Sequence, residues 1–282
     1  MSDAETFRAE MLERWERAAE AWGRRAENVR RMGMPVSAWM IEHIAPQPGQ
    51  VLLELAAGPG DTGFMAAELI APGGELISSD AADEMLSVAR RRATELGIEN
   101  VEFKRLELEW IDLAAATVDG LLCRFGVMLA LDPAAALREM RRVLRPGGRA
   151  ALAVWDSPEH NPWATIPTRA LIELGHAEPP DRAGPGMFAL SDAGRLREML
   201  SDAGFSEVLV ESVEVRREYE SIERFLAETL DLSQAFGEVH RGLSDEAQDE
   251  IASRVAALAE PWTEDGGGVR LTGRSLVASA EA

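Results

Sequence analysis

The stretch Val51-Leu-Leu-Glu-Leu-Ala-Ala-Gly-Pro-Gly-Asp-Thr-Gly63 decides the fold of this 282-residue chain. An apolar run over 51–56 reads as a buried strand, and it stops at a glycine-rich turn. A helical segment over 64–71 follows the turn. Glycines at 58, 60 and 63 let the backbone turn tightly and let a ligand approach without a Cβ in the way.

Strands and helices alternate after this stretch. The pattern predicts strands at 75–79, 101–104, 118–124 and 149–155, with helices at 82–96 and 133–144 between them. Such alternation indicates βαβ units, a mostly parallel sheet with helices on both faces, and right-handed crossovers. Two further strands, predicted at 207–215 and 269–280, are separated by a helical insertion over about 220–260. They indicate an antiparallel pair at one edge of the sheet.

The first 45 residues have a helical period. Met11, Trp15, Ala18 and Trp22 are spaced by four, three and four residues, which places them on one helix face. We expect a second helix to start at Pro35, because proline is favoured in the first turn of a helix.

Two carboxylates indicate the ligand of the glycine loop. Asp80 comes 22 residues after Gly58, at the end of the next predicted strand, where a carboxylate can accept both hydroxyls of a ribose. Glu54, four residues before Gly58, would act on the ammonium of an amino-acid moiety and would repel a pyrophosphate. These positions favour S-adenosylmethionine over a dinucleotide, although the glycine spacing alone also fits an NAD(P)-dependent reductase.

Composition restricts the partners and the compartment. The chain has 29 basic and 49 acidic residues, a formal charge of -20, and such a surface repels nucleic acid and anionic lipid. The single cysteine, Cys123, excludes an internal disulfide and reads as an inert core thiol. No apolar run has the length of a membrane span, the N-terminus has no signal-peptide pattern, and no spacing supports a metal site. We expect a cytoplasmic protein, with a homodimer as a possible assembly.

Six segments together carry a family resemblance. They are Leu53-Glu-Leu-Ala-Ala-Gly-Pro-Gly60, Ser79-Asp80, Leu106-Glu-Leu-Glu-Trp-Ile-Asp-Leu113, Val118-Asp-Gly-Leu-Leu-Cys-Arg-Phe125, Arg142-Val-Leu-Arg-Pro-Gly-Gly148 and Ala203-Gly-Phe205. In this order, over about residues 45–215, they resemble the class I S-adenosylmethionine-dependent methyltransferases of the ubiquinone/menaquinone-biosynthesis-like group. The resemblance implies a doubly wound, mostly parallel, seven-stranded Rossmann-like sheet with an antiparallel last strand and a helical lid.

The resemblance also implies roles by position along the sheet edge. Glu54 and the backbone of Gly58 and Gly60 would hold the methionine part of the cofactor, and Asp80 would bind the ribose. Arg124 and Phe125 would lie beside the methyl group. The residues implied at the adenine are Ala81, Met85, Glu107, Leu108 and Glu109. Glu107 stands where the family often has Asp, and Glu109 is its possible substitute. Ala56 stands at the first glycine of the usual pattern, and we expect this departure to be harmless because the tightest turn comes later.

The implied domain plan separates a cofactor core from covering segments. The core comprises 46–215 and 266–282, residues 1–45 form an N-terminal helical lid, and insertions at 156–190 and 216–265 cover the acceptor site. The Trp, Met and Phe content of these covering segments indicates a small, fairly lipophilic acceptor, such as an aromatic, quinone-like or polyketide-like molecule.

A general base helps if the acceptor is a phenol or an activated ring carbon. His160 is the first candidate, because it follows the strand 149–155 and so leaves the cofactor edge of the sheet. His176, His240 and Tyr219 are weaker candidates, and His43 reads as a helix-end residue. Besides the reductase, a non-catalytic S-adenosylmethionine-binding protein and a methyltransferase of proteins or nucleic acids remain as alternatives, the last disfavoured by the charge of -20.

Overall fold

A computed structural model describes residues 3–179 and 184–282, which divide into two compact units. The first unit comprises 3–156, 184–213 and 275–282, and the second comprises 157–179 and 214–274. The N-terminal helices thus belong to the same unit as the strands that follow them. The predicted insertion at 156–190 lies partly outside the described residues, because 180–183 are not among them.

One seven-stranded sheet organises the chain, with the strand order β3-β2-β1-β4-β5-β7-β6. The strands are β1 (Val51–Glu54), β2 (Glu75–Asp80), β3 (Val101–Arg105), β4 (Val118–Arg124), β5 (Leu144–Trp155), β6 (Ser206–Tyr219) and β7 (Val269–Glu281). β1 to β5 pair in parallel, and β7 pairs antiparallel with β5. The predicted doubly wound, mostly parallel sheet with an antiparallel last strand is confirmed.

The order of the strands reverses at β1, which lies between β2 and β4. Glu54 pairs with Ser78 of β2 on one side and with Leu122 of β4 on the other. Leu52, Leu53 and their neighbours on β4 are almost fully buried, as expected for strands covered on both faces. Ligands bind in such sheets outside the carboxyl ends of the strands at this reversal, and the glycine loop lies there.

Helices of the first unit flank this sheet. They are α1 (Asp3–Arg24), α2 (Ala26–Ile44), α3 (Asp61–Ile70), α4 (Asp83–Leu96), α5 (Pro133–Val143) and, after α6 (Pro162–Glu173) of the second unit, α7 (Ala193–Asp202). No helix within 3–179 and 184–282 has both the length and the apolar character that crossing a membrane requires.

The predicted start of the second helix is wrong, because α2 begins at Ala26 and Pro35 lies in its interior. Proline in a helix interior removes one hydrogen bond and usually bends the helix. Here the buried face of α2 includes Val29, Gly33 and Val36, on both sides of the proline. Burial of that face keeps the helix continuous across Pro35, where local sequence preference alone would start a helix.

The second unit contains helices and the outer parts of two strands. It holds α6 (Pro162–Glu173), α8 (Ile222–Leu232), α9 (Gln234–Arg241) and α10 (Asp245–Ala259). Polar side chains pack together in this unit. The Tyr219 hydroxyl donates to Glu228 (2.8 Å), and the Arg217 guanidinium lies 3.6 Å from the centroid of the Trp163 ring. The helical insertion predicted at about 220–260 thus consists of three helices.

Candidate functional site

Two glycines of the loop adopt the left-handed region of backbone conformation. Gly58 and Gly60 have φ values of 53° and 89°. A Cβ placed on Gly58 would meet no atom within 4 Å, so the loop faces open space at that residue. The loop therefore offers exposed backbone to a ligand, as its sequence predicts.

The conformation of Ala56 differs from the expectation that the tightest turn of the loop comes only after this residue. Its φ is 50°, so the first left-handed turn occurs at Ala56 itself, before the glycines. A residue with a Cβ is strained in that region by about 1–2 kcal/mol. Gly126, on the neighbouring loop after β4, leaves room for the Ala56 methyl, since a Cβ on Gly126 would lie 2.5 Å from that of Ala56. The departure from glycine is accommodated at a cost in backbone strain.

Glu54 ends β1 with a buried carboxyl group, which is 3% exposed. One oxygen accepts from the Gly63 amide (2.7 Å), in the first turn of α3, and the other accepts from the Ser78 hydroxyl (3.3 Å). Burial raises the pKa of Glu54 to about 7, against the opposing effects of the Gly63 amide and the Arg124 guanidinium. The carboxyl group thus holds the loop to the sheet, and its charge changes near neutral pH.

Asp80 lies at the carboxyl end of β2, beside the loop. Its two oxygens accept from the amides of Gly58 (2.9 Å) and Ala82 (3.0 Å). Burial raises the pKa of the Asp80 carboxyl group, and these amides partly offset that effect. The sequence predicts this carboxylate at the loop, and the structure brings the two together.

The segment after Asp80 is covered by α1. Glu16 of α1 accepts from the amides of Asp83 (2.9 Å) and Glu84 (2.8 Å), so it caps the first turn of α4 from another helix. Ala81 follows Asp80 and is partly exposed. Met85 is 2% exposed and packs in a cluster of α1 and α4. The resemblance has Met85 facing adenine, whereas here its side chain forms part of the contact with α1.

The turn after β3 lies next to Asp80, because the Leu106 amide donates to the Asp80 carbonyl (3.2 Å). Glu107 is exposed in this turn, and Leu108 is partly buried. Glu109 accepts from the amides of Leu131 (2.9 Å) and Asp132 (3.2 Å). Since Glu109 is engaged by the loop after β4, Glu107 is the carboxylate left facing solvent at the predicted adenine position.

Arg124 ends β4 and points into a cluster of charged side chains that sequence reasoning did not find. Its Nη2 lies 3.4 Å from Oδ2 of Asp61, the first residue of α3, and Arg92 of α4 lies 2.8 Å from the other oxygen of that carboxylate. The three side chains are 1–14% exposed. Asp61 stands inside the quoted glycine stretch, so its position beside the loop was the available signal.

Phe125 follows Arg124 and stacks on Trp155, the last residue of β5. The ring centroids are 4.0 Å apart and the ring planes differ by 8°. Phe125 has a φ of 62°, which is unusual for an aromatic residue. The Phe125 amide donates to the Ala153 carbonyl (2.8 Å), so the stacked pair is held at the carboxyl ends of two central strands.

His160 lies in the second unit, in a short 3-10 turn, Pro158–His160. Its ring contacts Oγ of Ser157 (3.1 Å), and Nε2 lies 2.9 Å from Nη2 of Arg274. A guanidinium has only donors, so it engages the lone pair that a general base uses to take a proton. His160 as the base stays a prediction, and it requires that Arg274 release the ring.

The remaining cysteine, tyrosine and histidine side chains named from the sequence lie in environments that the packing of the protein explains. Burial raises the pKa of Cys123 to about 12, so the thiol stays protonated in the core of β4. Burial also raises the pKa of Tyr219 to about 12, and it lowers the pKa of His240. His43 stacks on Trp39 near the end of α2. Within 3–179 and 184–282, no group of three or more His, Cys, Asp or Glu residues is arranged to hold a metal ion.

The residues around the loop fit S-adenosylmethionine. Gly58 faces open space, Asp80 presents a carboxylate beside it, and Glu54 places a second carboxyl group beneath the loop. A ligand with ribose hydroxyls and an ammonium group matches these acceptors, whereas a pyrophosphate would face two carboxyl groups. The donor and acceptor set therefore agrees with the predicted cofactor.

Comparison with known sequences gives the family. The profile of a family described as "Methyltransferase domain" matches residues 46–173. The ubiquinone/menaquinone biosynthesis C-methyltransferase of Shewanella oneidensis is 30% identical over 180 residues, which cover 60% of this chain and 72% of that protein. The protein of the same name from Shewanella frigidimarina is 29% identical over 178 residues, covering 60% and 71%.

Comparison with solved structures agrees at the level of the fold. A putative methyltransferase from Bacillus halodurans matches with a TM-score of 0.56 and 20% identity, covering 87% of this chain and 97% of that one. The [4+2]-cyclase SpnF matches with a TM-score of 0.53 and 17% identity, covering 87% and 79%. Because a cyclase shares the fold, the fold alone does not establish methyl transfer.

The sequence relatives decide between the alternatives that the glycine spacing leaves open. They are methyltransferases by name, the matched family profile spans the loop and the strands β1 to β5, and their group is the one that the six segments resemble. A dinucleotide-dependent reductase and a non-catalytic binding protein are not supported. This chain belongs to the class I S-adenosylmethionine-dependent methyltransferases, in the group of the ubiquinone/menaquinone-biosynthesis enzymes.

Proposed function

We propose that the enzyme methylates a small, fairly lipophilic acceptor of the aromatic, quinone-like or polyketide-like class. The main support for this proposal is the stacked pair of Phe125 and Trp155 at the carboxyl ends of β4 and β5. Phe125 is partly exposed there, and in this proposal the exposed part of its ring contacts a flat acceptor. The curated relatives, whose names refer to ubiquinone and menaquinone, support the same class.

The reaction requires alignment more than covalent chemistry by the protein. Bound S-adenosylmethionine supplies a methyl group on a sulfonium, which an acceptor attacks in line. The acceptor gains the methyl group and loses a proton, so a base or water must take that proton. Orientation of the two reactants can supply about 7–11 kcal/mol of the lowering of the barrier. In this proposal Glu54, Asp80 and the loop hold the cofactor, and Phe125 orients the acceptor.

Two features of this reaction stay predictions. His160 is the candidate for taking the proton from the acceptor, and the covering segments are the candidates for excluding water. Replacement of His160 by Ala tests the first, because loss of a base should lower turnover without changing cofactor affinity and should remove an ionisation from the pH dependence of kcat. The oligomeric state, for which a homodimer is one possibility, is checked by light scattering of the purified protein.

The acceptor class is tested with radiolabelled S-adenosylmethionine and a panel of phenols, hydroquinones and aromatic polyketides, next to small amines as a polar control. Methylation of the aromatic members alone supports the proposal, and methylation of the amines alone contradicts it. Phe125→Leu keeps an apolar side chain but removes the stacking face. We expect turnover to fall about tenfold or more, with unchanged affinity for S-adenosylhomocysteine.

A matched control is Phe103→Leu, because Phe103 lies on β3, where its ring contacts Phe64 instead of Trp155. That variant should retain turnover. Equal losses in the two variants would show that the effect of Phe125→Leu is general destabilisation of the sheet.

A further inference from the structure

Arg124 places a cation beside the glycine loop, next to Asp61 and Glu54. Its side chain is 11% exposed and reaches Asp61, which directly follows Gly60 of the loop. It also lies near enough to Glu54 to lower that carboxyl group's pKa. The guanidinium thus lies among the loop, the first turn of α3 and the end of β1.

The guanidinium has donors to spare. Its contact with Asp61 Oδ2 is long, at 3.4 Å, and joins one nitrogen to one oxygen. Within the part of the chain that the structure describes, this is its only hydrogen-bond acceptor. An arginine carries five N–H donors in a planar fork that matches a carboxylate.

The methionine end of the cofactor requires such a donor. It carries a carboxylate as well as an ammonium, and the neighbouring protein groups Glu54, Asp61 and Asp80 are themselves acidic. Arg92, the other cation at Asp61, donates to the Pro59 carbonyl (2.5 Å) as well as pairing with Asp61. Of the two arginines that pair with Asp61, Arg124 is therefore the one with donors left for a ligand, although its guanidinium also lies 5.9 Å from the centroid of the Phe125 ring.

We propose that Arg124 binds the carboxylate of the cofactor's methionine moiety, and that Asp61 and Gly33 are positioning residues that hold its guanidinium for this contact. Asp61 pairs with the guanidinium from α3, and Gly33 of α2 provides the space that it occupies. A Cβ on Gly33 would overlap Nη1 of Arg124. The arrangement selects a ligand with the complete amino-acid group over one that lacks the carboxylate.

The test compares two ligands that differ in the carboxylate alone: S-adenosylhomocysteine and its decarboxylated analogue, S-adenosyl-3-thiopropylamine. Calorimetric titration of Arg124→Gln should show the affinity for S-adenosylhomocysteine falling about 10- to 100-fold, because a charge-assisted hydrogen bond is lost. The affinity for the analogue should stay within about twofold. Arg124→Lys should recover part of the difference, since it restores the charge without the fork.

Arg92→Gln is the matched control from the same cluster. Because Arg92 binds the loop and not the ligand in this proposal, its loss should change the two affinities by similar factors. Equal weakening of the two ligands by Arg124→Gln, or no weakening of either, would overturn the assignment and return Arg124 to a structural ion pair.

Gly33→Ala keeps the test decisive if Arg124→Gln does not fold. The substitution lies inside α2, where alanine favours the helix over glycine, and its methyl group displaces only the end of the flexible Arg124 side chain. We expect the same selective loss for S-adenosylhomocysteine in a folded protein that keeps every charge. Unchanged preference between the two ligands in this variant would contradict the proposal.

Discussion

The raised pKa of Glu54 makes stability depend on pH in a way that one substitution isolates. Burial shifts the pKa from 4.5 to about 7. The folded state therefore binds this proton more tightly than the unfolded state does. A shift of about 2.5 units, at 1.36 kcal/mol per unit, corresponds to about 3 kcal/mol. The contribution of Glu54 to the unfolding free energy is highest below pH 4.5, and it is lost as the pH rises through 7, where the buried group ionises.

Glu54→Gln removes this titration while keeping the local hydrogen bonds. The glutamine carbonyl can accept from the Gly63 amide, and its amide can donate to the Ser78 hydroxyl, so the loop retains its attachment to β1. Relative to wild type, the variant should gain about 2.5 kcal/mol of unfolding free energy between pH 5 and pH 8, because part of the change precedes pH 5. Titratable groups shared by the two proteins cancel in the difference.

The measurement is urea denaturation of the two proteins at half-unit steps from pH 5 to pH 8.5. Glu75→Gln, an exposed carboxyl group on β2, is the control for removing a charge and should follow the wild-type curve. Parallel stability curves for wild type and Glu54→Gln would refute the reasoning. They would mean that Glu54 has the same proton affinity in the folded and unfolded states.

Cofactor binding supplies a second readout of the same group. If ionised Glu54 interacts with the ammonium of the ligand, binding lowers its pKa and releases a proton near pH 7. Calorimetry of S-adenosylhomocysteine in two buffers of different ionisation enthalpy measures that release. We expect proton release in wild type and none in Glu54→Gln.

Four further substitutions concern the loop and its supports. Ala56→Gly should stabilise the protein by about 0.5–1 kcal/mol, because glycine adopts the left-handed conformation without strain. Gly126→Ala should destabilise it by about 1–3 kcal/mol through overlap with the Ala56 methyl. Additive effects in the double variant Ala56→Gly/Gly126→Ala would contradict this contact. Asp80→Ala should weaken S-adenosylhomocysteine binding about 10- to 100-fold in a calorimetric titration, because ribose hydroxyls lose their acceptor; wild-type affinity would remove Asp80 from the site. Glu16→Ala should lower the unfolding free energy by about 1 kcal/mol through loss of the cap on α4, measured by denaturation, and a change below about 0.3 kcal/mol would mean that the cap contributes nothing.

Much of the sheet could be predicted because its signals are local. Most strands from Val51 to Trp155 contain a short apolar run followed by a turn or a helix, β3 with its charged residues being the exception. The observed bounds differ from the predicted ones at the ends, most of all for β5, which begins at Leu144. The glycine loop and Asp80 are also separated by a spacing that a known architecture explains. Their contact follows from the parallel pairing of β1 with β2.

The remaining features depend on contacts that spacing does not reveal. Pro35 marks a helix start by local preference, but the burial of Val29 and Val36 carries α2 through it. Met85 is apolar in any environment, so only the position of α1 shows which surface it contacts. Asp61 and Arg124 are 63 residues apart in sequence, and their pairing requires the crossing of α3 and β4.

The cap that Glu16 provides joins two parts of the protein into one cooperative unit. The first turn of α4 follows directly on Ala82, whose amide is bound by Asp80. When α1 detaches, that turn loses its cap next to the ribose-binding carboxylate. The local opening of α1 and the loss of order at Asp80 are therefore energetically coupled. By reciprocity, a ligand that orders Asp80 also favours the attached form of α1. Amide exchange in α1 should therefore slow when the nucleoside end of the site is filled, although no ligand atom needs to touch that helix.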